Sequence, residues 1–176
     1  MTPSTIEQRA HRIRLVLLDV DGVLTDGTVT IGAAGEESKG FNIKDGAAVV
    51  WALGAGLPVG LLSARESRAT AERARQLGIS IIVQGASSKS AALDAILADL
   101  GLASEEVAYM GDDLVDVPVM SRSGLSAAPA DAATETIAAA HWVSRCNGGH
   151  GAVREFLELI LKAQGRWAAI VSEFSG

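Results

Sequence analysis

A mostly parallel central sheet flanked by helices, an α/β fold, is the expectation for this chain, on three observations. Short apolar runs of strand length recur at 13–19, 58–63, 79–83 and 106–111. Segments of helical pattern at about 46–55, 66–77 and 89–100 separate them, and that alternation is the mark of successive β-α-β units. Polar residues gather where the apolar runs end, the side on which open parallel sheets bind ligands. At 176 residues with 48% hydrophobic composition, the expected form is a Rossmann-like three-layer sandwich in a single domain over 1–176.

The first run, Leu15-Val16-Leu17-Leu18, is fully apolar, as a strand buried on both faces should be. It ends in Asp19-Val20-Asp21-Gly22, two carboxylates two positions apart on one side of an extended chain, followed by a glycine that frees the backbone to turn. Residues 28–31 alternate, break at 32–35 and resume at 38–43, which predicts a hairpin at about 27–43 that would lie as a flap over the first strand's end. Gly78 and Gly101 stand where helical runs stop, as C-terminal caps, and Ser87 or Ser88 can cap the helix that begins near Lys89. Weaker strands near 124–128 and 141–144 flank an Ala-rich stretch at 131–140, and a helix from Gly151 to about Gln164 precedes a tail at about 165–176.

Fifteen Lys and Arg against twenty-one Asp and Glu leave a formal net charge of −6, which argues against nucleic acid as a partner and requires a local basic patch for any anionic substrate. The single cysteine, Cys146, excludes an internal disulfide framework and a four-cysteine zinc site. No run reaches about eighteen uninterrupted apolar positions, so the expectation is a soluble, cytoplasmic chain without a membrane segment.

Four strand ends carry chemistry. The first ends in Asp19 and Asp21, the second in Ser63-Ala64-Arg65, the third is followed by Gln84-Gly85 and Lys89, and the fourth ends in Gly111-Asp112-Asp113. One carboxylate can attack phosphorus while its neighbour moves protons, and so close a pair calls for a divalent cation, magnesium first, to keep the nucleophile ionised. Duller readings stand beside these. Lys89 could be a solvated residue of a helix's first turn, although a cation there opposes the helix dipole. Ser63 could cap the following helix, Asp45 could be an N-cap, Arg65 could be a surface arginine, and Asp116 could be merely structural.

The set and its order resemble the haloacid dehalogenase superfamily of phosphotransferases. By that resemblance Asp19 is the nucleophile that forms an aspartyl-phosphate, and Asp21 protonates the leaving alcohol and then activates water. Ser63 and Lys89 hold the phosphoryl oxygens. Magnesium bridges Asp19, the backbone carbonyl of Asp21 and Asp112, with Asp113 and Asp116 behind it or assisting. Only the short hairpin follows the first motif and about 25 residues separate Ser63 from Lys89, so there is no room for a cap domain. Capless members use neighbouring subunits to close the site, which implies a homotetramer.

A closer resemblance, carried by 21–27, 41–46, 107–113 and 148–155, is to the capless phosphatases of 3-deoxy-D-manno-octulosonate 8-phosphate, a step toward lipopolysaccharide. It implies that Asp45 and Gly46 shape the sugar pocket and that Arg65 pairs with the substrate carboxylate, where phosphatases for nine-carbon ulosonate phosphates tend to carry an acidic residue. A nine-carbon or other sugar phosphate, and a catalytically silent subunit, are the alternatives. A receiver-type signalling module is disfavoured, because its acceptor Asp would lie on the third strand and its lysine after the fifth. Ala64 stands where these relatives commonly have glycine, so a positive φ there would strain the Ser63 loop. Their C-terminal tail can reach a neighbour's active site, and 165–176 resembles it only loosely.

Overall fold

The computed structural model describes residues 5–174. Its elements run α1 (Ile6–His11), β1 (Leu15–Leu18), β2 (Thr30–Ile31), β3 (Glu37–Ser38), α2 (Ile43–Gly54), β4 (Val59–Leu62), α3 (Arg68–Leu77), β5 (Ile81–Val83), α4 (Lys89–Leu100), β6 (Val107–Met110), α5 (Val117–Met120), β7 (Leu125–Ala128), α6 (Thr134–Ala139), β8 (Trp142–Val143), α7 (Ala152–Ala163) and α8 (Trp167–Glu173). Six strands form one sheet in the order β5-β4-β1-β6-β7-β8, with every neighbouring pair parallel. The α/β class and all six expected sheet strands are therefore as predicted.

Strand periodicity builds the three layers. Val16 and Leu18 of β1 face one side with Val59 and Leu61, packed with Ala10 of α1, Ala48 and Val49 of α2, and Phe156 and Leu157 of α7. Leu15 and Leu17 face the other side with Leu62 and Tyr109, under Leu93 and Ile96 of α4 and Val119 and Met120 of α5. No helix among the described residues is long and apolar enough to cross a membrane.

From β1 the chain moves outward through β4 and β5, then returns to lay β6 on the other side of β1. The β1/β6 boundary is thus the point where strand order reverses, and the loops leaving these two strands part there to open a crevice. The Asp19 amide donates to the Met110 carbonyl at 3.0 Å, which ties the two strand ends together.

Several local expectations need correction. α2 begins at Ile43, three residues early, because the Asn42 side chain accepts from the Lys44 and Asp45 amides and caps it. α3 is capped by Ser67, whose side chain accepts from the Thr70 amide, and not by Ser63. The hairpin forms with β2 and β3 paired antiparallel, but over two residues a side. α1, closed by a Thr5/Gln8 capping box, was not expected because it buries only Ala10. The tail is ordered over most of its length: α8 lays Trp167 edge-on to Trp51 at 5.9 Å, with Phe174 at 5.6 Å from the same ring, and Arg154 lies 4.2 Å over it. The last two tail residues, and residues 1–4, lie outside the described residues. Gly78 and Gly101 end their helices in the left-handed conformation, and Ser88 caps α4, as the sequence predicts.

Candidate active site

At the β1/β6 crevice a cavity of about 250 Å³ is lined by Asp19, Asp21, Gly27, Ser63, Ala64, Arg65, Lys89, Asp112, Asp113 and Val115. A larger cavity of about 770 Å³ lies between α2 and α8. Among the described residues, Arg166 and Glu173 are the only charged ones in its lining, whereas the smaller one gathers six, so the chemistry belongs to the smaller.

Asp19 emerges directly from β1 and is buried, as is Lys89, whose Nζ lies 2.9 Å from Asp19 Oδ2 and 2.6 Å from Asp116 Oδ1. The lysine is the first residue of α4, but it turns from solvent into the crevice, so the reading that made it a solvated first-turn residue is set aside. Burial and the nearby Asp116 charge push Asp19 up to about 6, against the pull of Lys89. Burial, then Asp19, Asp116 and Asp113, push Asp112 up to about 7. Burial works to lower the Lys89 pKa, but Asp19 and Asp116 outweigh it and the ammonium is held protonated. One ammonium among this many carboxylates leaves a surplus of negative charge.

Asp116 is neither an idle structural residue nor free to serve as a ligand. It is 0% exposed and accepts from Lys89 Nζ, from the Tyr109 hydroxyl at 2.5 Å, and from the Asp112 and Asp113 amides at 3.1 and 3.2 Å. It thereby fixes both the lysine and the backbone of the fourth motif. Tyr109, not foreseen from the sequence as a site residue, belongs to this network because a phenol buried at the end of β6 must find a partner for its hydroxyl. Asp113 diverges from the expectation: it is exposed at the rim, its carboxylate accepting from the Leu114 amide.

Asp19, Asp112 and Asp116 offer carboxylate oxygens within 4.8 Å of one another. Because Asp116 already accepts four hydrogen bonds, Asp19 and Asp112 are the two with capacity left for a hard cation. The turn that delivers them depends on Gly22, at φ +83, where a Cβ would sit 2.0 Å from Asp112 Oδ2. Thr25, fully buried, pins this turn through its hydroxyl, which accepts from the amides of Gly22 and Gly27.

Asp21 points to the flap. Its Oδ1 lies 2.6 Å from Lys39 Nζ and its Oδ2 3.5 Å from Arg65 Nε. These are ion pairs without the alignment of hydrogen bonds, so the carboxylate is held by charge. Lys39 and Glu37, both on the hairpin, were missed because flap side chains carry no periodic or motif signal of their own. Ser63, 2% exposed, sits at the end of β4 with its Oγ accepting from the Arg65 amide. Ala64 is unstrained, since no residue other than glycine has positive φ among the described residues.

Two expected pocket residues lie elsewhere. Asp45 is fully buried and accepts from the Gly151 and Arg154 amides, at 3.1 and 2.7 Å. It therefore caps α7, not its own helix, and its carboxylate is spent on amides that a helix start leaves unpaired. Gly46 faces Arg73 and Leu77 of α3, where a Cβ would meet Arg73 Nη2 at 2.3 Å. Neither lines the cavity.

Residues 59–157 match a family model described as haloacid dehalogenase-like hydrolase. The chain is 46% identical over 158 residues to the 3-deoxy-D-manno-octulosonate 8-phosphate phosphatase of Escherichia coli (strain K12), covering 90% of this chain and 84% of that protein. Among solved structures, a probable phosphatase from Pseudomonas syringae superposes with a TM-score of 0.95 at 43% identity, covering 97% of each chain. The 3-deoxy-D-manno-octulosonate 8-phosphate phosphatase of Moraxella catarrhalis, crystallised with a magnesium ion, a phosphate ion and the sugar acid, superposes with a TM-score of 0.94 at 36% identity, over 96% of this chain and 97% of that one.

Proposed function

Because the chain belongs to the haloacid dehalogenase-like hydrolases, we propose that it is a magnesium-dependent phosphatase that hydrolyses 3-deoxy-D-manno-octulosonate 8-phosphate to the free sugar acid and phosphate. The observation that carries this is the placement of Asp19, Lys89 and Asp112 together at the strand-order reversal, in a chain 46% identical to a phosphatase of that name. The reading treats 1–176 as one catalytic domain, supported by the single six-stranded sheet, and assigns it to the cytoplasm and to lipopolysaccharide precursor synthesis.

Asp19 attacks phosphorus and the P–O bond to the sugar breaks. Asp21 gives its proton to the leaving oxygen and then takes one from the water that opens the aspartyl-phosphate. Lys89 and Ser63 hold the phosphoryl oxygens as charge spreads over them, and Asp116 and Tyr109 hold Lys89 in place. Magnesium, held by Asp19, Asp112 and the Asp21 backbone carbonyl, would offset the surplus negative charge and draw in the phosphoryl group. Arg65, 53% exposed at the mouth, is placed to pair with the sugar's carboxylate.

Phosphate release from a panel of sugar phosphates, with and without magnesium, tests the reading. The eight-carbon ulosonate phosphate is expected to lead with magnesium, and chelation to stop turnover. A nine-carbon or neutral sugar phosphate in first place would overturn the substrate, and no release from any would leave a silent subunit.

The same reading includes a homotetramer. It is supported by the open mouth and by the exposed apolar residues Leu114, Val115 and Ile31 on the turn and flap beside it, which a neighbouring copy would cover. Light scattering is expected to return four times the chain mass; a monomer that turns over at full rate would count against it.

A further inference from the structure

The flap joins the site through a closed ring of charge. Glu37 Oε2 accepts from Arg65 Nη2 at 2.8 Å, and Glu37 Oε1 lies 3.6 Å from Lys39 Nζ. Lys39 and Arg65 each reach Asp21, at 2.6 and 3.5 Å. Two carboxylates and two cations therefore alternate around the mouth: Asp21, Lys39, Glu37, Arg65.

The ring has a weak side. The Lys39 side chain is 1% exposed, and stripping a buried ammonium of its anions is costly. Arg65 is half-exposed, its bond to Glu37 is a single hydrogen bond, and solvent screens it. The planar guanidinium is shaped for two parallel hydrogen bonds to one carboxylate. A ligand carboxylate that engages both would displace Glu37, which keeps Lys39 as its second cation.

We propose that Glu37 is an internal competitor for Arg65 that sets how tightly the site grips the carboxylate of a sugar-acid ligand. The proposal rests on the sugar-acid phosphatase reading and deepens it. Its consequence falls mainly on the product, which loses the phosphate but keeps the carboxylate. An anion waiting beside Arg65 limits the hold on that product and favours its departure. A neutral sugar phosphate makes no demand on Arg65 and leaves the ring closed.

The test measures, with magnesium, the Michaelis constant for the eight-carbon ulosonate phosphate and the inhibition constant of the dephosphorylated sugar acid. Arabinose 5-phosphate serves as the ligand without a carboxylate, and the proteins are wild type, Glu37→Gln, Arg65→Gln and the double variant. The size expected of a screened ion pair, up to about 1 kcal/mol, corresponds to about threefold to fivefold. Glu37→Gln is expected to tighten the sugar acid and its phosphate by that factor relative to arabinose 5-phosphate. The gain should vanish when Arg65 is also replaced. An equal shift for both kinds of ligand, a weakened sugar acid, or a gain that persists without Arg65 would overturn the proposal alone. A wild type that shows no preference for the carboxylate-bearing ester would overturn the proposal together with the substrate reading.

Discussion

Asp19→Asn is expected to reduce phosphate release by about 10⁴-fold or more, the scale on which nucleophile replacement acts, while the protein still folds. Asparagine has nearly the same shape, so β1 and its pairing with β4 and β6 are undisturbed. The lost charge has opposing effects on stability. Lys89 gives up one partner but keeps Asp116 at 2.6 Å, and Asp112 is relieved of its largest charged neighbour, Asp19. The two effects offset, so the melting temperature should stay within a few degrees of wild type. Turnover above about a tenth of the wild-type rate, in a protein shown to be free of deamidated chain, would remove Asp19 from the nucleophile's role.

Lys89→Met should damage both fold and activity. The ammonium is 3% exposed and, among the described residues, is the one cation in contact with Asp19 and Asp116. Without it Asp116 still accepts from Tyr109 and two backbone amides, but its charge faces Asp19 across a buried space with nothing between. Breaking a buried pair by removing one member typically costs about 3 to 5 kcal/mol, and loss of a charged group that steadies the transition state costs about 10²- to 10³-fold in turnover. Urea denaturation monitored by circular dichroism should show the stability loss. It should be larger without magnesium than with it, because a divalent cation on Asp19 and Asp112 offsets part of the exposed repulsion. An equal loss in both conditions would mean that the metal does not sit among these carboxylates.

Much of the fold was legible because local rules and tertiary demands agree along most of the chain. Residues 15–18 are apolar without interruption because both faces of the strand are covered, and their alternation into Val16/Leu18 and Leu15/Leu17 follows from the pleat. Ser88 and Gly101 bracket α4 as caps do anywhere. What failed was boundary detail and the two small helices at the chain's ends. α1 buries a single alanine and α8 only Ile170, so neither has the apolar stripe from which a helix is read.

Where the strands fall along the chain, and which of them end in acids, a hydroxyl and a lysine, follows from periodicity and position alone, and both are written in the residues. Which charge meets which is set only when the chain folds. Lys89 finds Asp116 across 27 residues, Asp45 caps a helix 109 residues away at Arg154, and Glu37 reaches Arg65 over 28. Local pattern records that a side chain is charged but not where it points once the sheet has brought distant segments together. Asp45 and Asp113 carry the same carboxylate as Asp19 and Asp112, and only burial and the nearest N–H or ammonium distinguish a helix cap and a rim residue from the proposed nucleophile and the proposed metal ligand.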